Sequence, residues 1–82
     1  MLKVSVVSPE ATLYQGDATS VVAPAFDGEV GILPSHAPMI TVLGHGILRV
    51  NGDTPARFTV SGGFVQVVDD VVRVVTEKAT AV

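Results

Sequence analysis

The side chains that could do chemistry in this chain are few. Asp27, Glu29, Ser35 and His36 fall within one twelve-residue segment, Asp27-Gly28-Glu29-Val30-Gly31-Ile32-Leu33-Pro34-Ser35-His36-Ala37-Pro38. Carboxylates beside a histidine could hold a metal or move a proton, and a serine beside a histidine could be a nucleophile with its base. The spacing argues against each. Ser35 and His36 are adjacent, so in extended chain their side chains point to opposite faces. Two histidines and no cysteine make a poor zinc set, even with two acids nearby. Gly28-Glu29-Val30-Gly31 lacks the Lys-Ser/Thr ending and the following helix of a phosphate loop. Val60-Ser61-Gly62-Gly63 lacks the upstream glycine of a nucleophile elbow and reads as a glycine turn between strands. His45, between two glycines, reads as solvated. No catalytic, metal or cofactor site is therefore expected. Asp27, Glu29 and His36 remain as contact residues on an acidic loop stiffened by two glycines and two prolines.

The elements that must position this loop are strands. Lys3–Val6, Thr12–Gln15 and Thr19–Ala23 read as short extended pieces, the last stopped by Pro24. After the loop come Met39–Leu43 and Ile47–Val50, the latter running into Asn51-Gly52, a strong hairpin signal. Ala56–Ser61 alternates strictly, placing Ala56, Phe58 and Val60 on one face. Gly62-Gly63 reads as a break, and Phe64–Val68 then meets Val71–Thr76 across Asp69-Asp70. These last strands are apolar on both faces in places, as expected of sheet buried in a sandwich or against another protein. The tail Glu77–Val82 is helix-compatible but too short to be a stable helix alone. Eight to ten short strands with regular turn signals predict an all-β sandwich or small barrel.

With 82 residues, the chain reads as one domain, 1–82, near the lower limit for an independent core. Its net charge of −3 and its scattered cations (Lys3, Arg49, Arg57, Arg73, Lys78) argue against nucleic acid as a partner. No apolar run approaches the roughly 18 residues of a membrane-spanning helix, so no direct membrane insertion is expected. The opening Met1-Leu2-Lys3-Val4 is strand-like rather than a targeting segment, which predicts a soluble domain on the cytoplasmic side.

The segment Gly28–Pro38 resembles the motif G-E-[LV]-G-I-x-P-x-H-A-P of the epsilon subunit of F-type ATP synthases, called delta in mitochondria. Flanking pieces agree: Val6-Val7-Ser8-Pro9-Glu10, Tyr14-Gln15-Gly16, Gly46-Ile47-Leu48-Arg49-Val50 and Ser61-Gly62-Gly63-Phe64 are each similar to family features. The resemblance runs from about Val4 to Ala81. It implies a flattened β-sandwich of about ten strands at the foot of a rotor shaft. It also implies a non-catalytic central-stalk role, coupling a gamma subunit to the polar loops of the c-subunit ring during proton-driven ATP synthesis. On that likeness Asp27, Glu29 and His36 meet ring and rotor, while Ser8, Ile40, Thr41 and Ile47 face the gamma subunit. A location on the cytoplasmic face of the plasma membrane is implied, or the stromal face of the thylakoid for a plastid-encoded chain, with a monomer when isolated.

Family members mostly continue into a two-helix hairpin that can inhibit ATP hydrolysis. That C-terminal helical hairpin is absent from this sequence, so a complete chain of this length is expected to lack inhibition and ATP sensing. Two other readings compete. Ile47-Leu48-Arg49-Val50-Asn51-Gly52 resembles the strand and turn of a peptide-binding PDZ-like module, which would need an amphipathic helix beside its groove. A biotinyl-type carrier would need a lysine at a hairpin tip, whereas Lys3 and Lys78 lie near the termini.

Overall fold

The computed structural model describes residues 1–82, and every regular element in it is a strand. In chain order these are β1 (Leu2–Val7), β2 (Thr12–Ala18), β3 (Ser20–Ala25), β4 (Gly28–Ile32), β5 (Met39–Val42), β6 (His45–Asn51), β7 (Ala56–Val68) and β8 (Val71–Ala81). Their hydrogen-bonded order is β2-β1-β8-β7-β6-β3-β4, with β5 added to β7. All pairs are antiparallel except β1 with β8.

Two long strands make this one network into a sandwich. One edge of β7 is shared, its Ala56–Ser61 part pairing with β6 and its Phe64–Val67 part with β5. Along its other edge β8 pairs from Val71 to Ala81. One layer therefore holds β2, β1, the start of β8, the end of β7, and β5. The other holds the end of β8, the start of β7, β6, β3 and β4. Cα extents of 27 × 26 × 18 Å give the flattened shape that two sheets about 10 Å apart require.

The core is built by alternation: Leu2, Val4 and Val6 on β1, Val21 and Ala23 on β3, Leu48 and Val50 on β6 are all buried. On β7 the buried set changes from even to odd positions, Phe58 and Val60 giving way to Val65 and Val67. The change falls at Gly62 (φ 75) and Gly63 (φ 107), both in backbone regions that side chains rarely adopt. Opposite them on β8, Val72, Val74 and Thr76 are buried, and Ala79 then packs on the core. The hairpin thus turns its inner face over as it passes between layers. Thr76, buried at that point, is satisfied locally: its hydroxyl donates to the Lys78 carbonyl at 2.9 Å.

Eight strands are present instead of about ten, for identifiable reasons. Gly62-Gly63 bends β7 rather than breaking it, and the register with β8 continues on both sides. The tail is strand, not helix, because Lys78–Ala81 covers the edge of Phe58–Ser61 that would otherwise lack partners. Asn51-Gly52 does not form a two-residue hairpin. Asn51 instead continues the ladder, pairing with Ser20 and accepting from the Thr19 amide at 2.8 Å. The connection to β7 closes only where Val50 meets Ala56. Asp69-Asp70 does make the tight turn, with φ 49 and 63 between paired Val68 and Val71. With no helix present, the peptide-groove reading lacks its wall. Lys3 lies within β1 and Lys78 within β8, neither at a hairpin tip.

Candidate functional site

The motif segment is half strand and half loop. Ala25 pairs with Gly28, so Phe26 and Asp27 form the exposed tip of the β3–β4 hairpin. Glu29 lies on β4 opposite Pro24, with its carboxylate 3.2 Å from a terminal nitrogen of Arg49. That ion pair reaches diagonally over β3, since Arg49 is in register with Val22. Arg49 also stands directly opposite Arg57 on β7, an unfavourable like-charge pair that Glu29 offsets.

Beyond buried Ile32 the chain leaves the second layer and crosses to β5 in the first, closing one end of the sandwich. The His36 amide donates to the Leu33 carbonyl at 3.2 Å, and the Ser35 amide donates to Asp70 Oδ1 at 2.7 Å. Ring Nδ1 of His36 lies 2.7 Å from the Ala37 carbonyl oxygen. A cleft of about 470 Å³ is lined by Ser35, His36, Ala37, Pro38, Asp69 and Asp70. Asp27 and His36 sit at opposite ends of β4, a strand whose length separates them by roughly 13 Å or more. The three ring-facing candidates therefore lie along one edge of the sandwich and do not converge. No group of three or more His, Asp or Glu side chains has metal-holding geometry.

The other four candidates fall on different surfaces. Ser8 caps the β1–β2 turn, its amide donating to the Ala11 carbonyl at 2.8 Å. Ile40 is 66% exposed on the outer face of β5 beside Gln66, while Thr41, beside buried Val65, points inward. Ile47 is on the outer face of β6, the face that also carries Arg49 and Glu29.

Register shows a feature that local sequence reading could not assemble. Val42, Phe64, Val75 and Val7 are successive partners across β5, β7, β8 and β1, forming one apolar row on the outer face of the first layer. Its only signal in the sequence was the two-sided apolarity of the last strands. His45, read as merely solvated, is exposed but hydrogen-bonded: Ser61 Oγ lies 2.9 Å from its Nδ1, tethering β6 to β7 beside the glycine kink.

The architecture is that of a small all-β sandwich domain, with one end closed by the loop between β4 and β5 and an apolar row on an outer strand face. The family model described as "ATP synthase, Delta/Epsilon chain, beta-sandwich domain" matches residues 1–82, and the chain belongs to that family. It is 44% identical over 77 residues to the ATP synthase epsilon chain of Leptospira borgpetersenii serovar Hardjo-bovis (strain JB197), covering 93% of this chain and 61% of that one. To the epsilon chain of Rhodopirellula baltica it is 49% identical over 78 residues, covering 94% of this chain and 61% of that one. It thus spans about three-fifths of the length of these relatives. A chain in the cryo-EM structure of the Euglena gracilis mitochondrial ATP synthase, OSCP/F1/c-ring in rotational state 1, superposes with a TM-score of 0.89 at 25% identity, covering 98% of this chain and 52% of that one. A chain of the Tetrahymena thermophila mitochondrial ATP synthase central stalk/c-ring shares the fold, with a TM-score of 0.82 at 17% identity over 96% of this chain and 65% of that one.

Proposed function

We propose that this domain is a non-catalytic part of the central stalk of a rotary F-type ATP synthase, joining the gamma subunit to the loops of the c-ring. The observation that carries this reading is the family match over the whole chain, together with a motif segment held in one shape along one edge of the sandwich. On this reading the domain sits in a membrane-bound complex without entering the bilayer, on the cytoplasmic side.

The physical case is one of stiffness and preorganisation. A joint that passes torque must resist bending, and here both layers share the continuous β7–β8 hairpin. Load on the motif loop reaches β4 in one layer and β5 in the other, because the loop connects them. Holding that loop before docking lowers the ordering cost on binding. Glu29, 57% exposed at its side chain, accepts charge-assisted hydrogen bonds from ring guanidinium or amide groups. Each exposed pair is worth about 0–1 kcal/mol, so retention depends on several contacts and on buried apolar surface such as the Ile40 face.

Co-expression with the gamma subunit of the same organism, followed by affinity capture of either chain, tests the assignment. Stable co-purification is expected, and its absence refutes the stalk role. In reconstituted vesicles, Glu29→Ala combined with His36→Ala is expected to lower proton-driven ATP synthesis while the isolated domain stays folded. Unchanged coupling would remove both residues from the interface.

A further inference from the structure

The β7–β8 turn is hydrogen-bonded to the motif loop through the side chain of Asp70. Asp70 Oδ1 accepts from the Ser35 amide at 2.7 Å, across 35 positions of sequence. Ser35 is held at φ 68, a left-handed conformation that costs a non-glycine residue free energy unless its surroundings impose it. Asp70 is itself anchored, since its carbonyl accepts from the Lys3 amide of β1 at 2.8 Å. The loop is thereby tied to the point where β1, β7 and β8 converge.

His36 follows Ser35 directly. Its Nδ1 faces the Ala37 carbonyl oxygen at 2.7 Å, and a carbonyl oxygen can only accept. The proton of the neutral ring is therefore on Nδ1, and Nε2 is left as an acceptor. Nε2 has no partner within the chain and is not sealed from solvent.

We propose that Asp70 is a positioning residue for His36: its carboxylate holds Ser35 in the left-handed conformation, and this aims Nε2 of His36 outward as an acceptor for a hydrogen-bond donor on the docking partner. The partner half rests on the stalk reading above; the positioning half does not. A neutral or cationic donor such as an amide, an ammonium or a guanidinium fits this acceptor. A second carboxylate does not.

Two substitutions separate the turn from the acceptor. Asp70→Gly keeps the turn, because glycine adopts φ 63 without strain, and removes the carboxylate. Asp70→Asn keeps an acceptor oxygen and tolerance of the left-handed region. In the isolated protein, amide hydrogen exchange at Ser35 is expected to speed up about tenfold or more in Asp70→Gly, and to stay within about threefold in Asp70→Asn. Nitrogen NMR of the neutral His36 ring is expected to report the Nδ1–H tautomer in the parent and a mixture in Asp70→Gly. In the assembled stalk, Asp70→Gly is expected to weaken retention as His36→Ala does, with Asp70→Asn close to the parent.

The positioning role is overturned if Ser35 exchange is unchanged in Asp70→Gly, or if Asp70→Asn behaves like Asp70→Gly. The docking consequence is overturned if Asp70→Gly frees the loop yet is retained like the parent. A parent protein that fails to bind its stalk partners at all refutes the stalk reading instead, and Ser35 exchange still decides whether Asp70 holds the loop.

Discussion

Alanine at Gly63 probes the joint between the two layers. A Cβ built there overlaps the Val75 carbonyl oxygen and comes within 2.8 Å of Thr76 Cα, both backbone atoms of the paired strand. At φ 107 the backbone is also outside the regions open to a side chain, a cost of about 1–3 kcal/mol before any overlap is counted. Relief requires β7 and β8 to separate where both reverse their buried faces. The total is expected to exceed about 3 kcal/mol, a large share of the roughly 4–12 kcal/mol that a domain of this size possesses. Gly62→Ala is the control. Its φ of 75 is near the left-handed helical region, and its nearest neighbour is Cδ of Glu77 at 3.1 Å, the movable end of a flexible side chain. About 1–2 kcal/mol is expected there. In thermal unfolding at about 4–8 °C per kcal/mol, Gly63→Ala should lower the midpoint by more than about 12 °C and Gly62→Ala by clearly less. Equal losses, or a greater loss for Gly62→Ala, would refute the account of the kink.

Leu48, fully buried between the layers, is expected to lose about 2–5 kcal/mol on Leu48→Ala, measured by urea unfolding with an unchanged slope. Ile40→Asp and Thr41→Asp should separate along the two faces of β5. The exposed Ile40→Asp is expected to change stability by less than about 1 kcal/mol and to reduce co-purification with the gamma subunit, whereas Thr41→Asp places an unpaired charge beside Val65 and should destabilise the fold. Unchanged gamma retention in Ile40→Asp would exclude that face from the interface.

Features of the fold that depend on neighbouring residues were legible from sequence. The alternation in Ala56–Val60, the all-β class and the Asp69-Asp70 turn all emerge as local pattern implies. What was not legible depends on pairing at a distance. A glycine pair can reverse a chain or bend it, and only β8 lying along both halves of β7 decides for the bend. Asn51-Gly52 has the composition of a hairpin turn, but β3 captures Asn51 and moves the reversal onward. The tail has no local preference strong enough to matter, and an unpaired edge of β7 makes it strand. At the site, Asp27, Glu29 and His36 stand out within one short segment of sequence, whereas Arg49 beside Glu29, and Asp70 on the amide next to His36, come from strands and turns far along the chain.

The Glu29–Arg49 pair complicates any reading of Glu29 as a ring contact, and it also supplies the means of testing it. Glu29 offsets an arginine that faces another arginine, Arg57, across β6 and β7. Glu29→Ala alone therefore does two things: it removes an acceptor from the surface and leaves two like charges opposed. The second effect is internal, worth about 0.2–1 kcal/mol, and it shrinks as salt is added. Removing Arg49 as well abolishes it, while the lost acceptor stays lost. Both contacts to Glu29 come from one Arg49 nitrogen, at 3.4 and 3.2 Å, so the carboxylate keeps lone pairs free for a second donor. If Glu29 meets the ring, Arg49→Ala should leave coupling near the parent value, and Glu29→Ala with Arg49→Ala should be as poorly coupled as Glu29→Ala. If Glu29 serves only to neutralise Arg49, the double substitution should restore coupling. That outcome would remove Glu29 from the proposed docking edge and leave His36 as the remaining polar candidate of the Gly28–Pro38 motif.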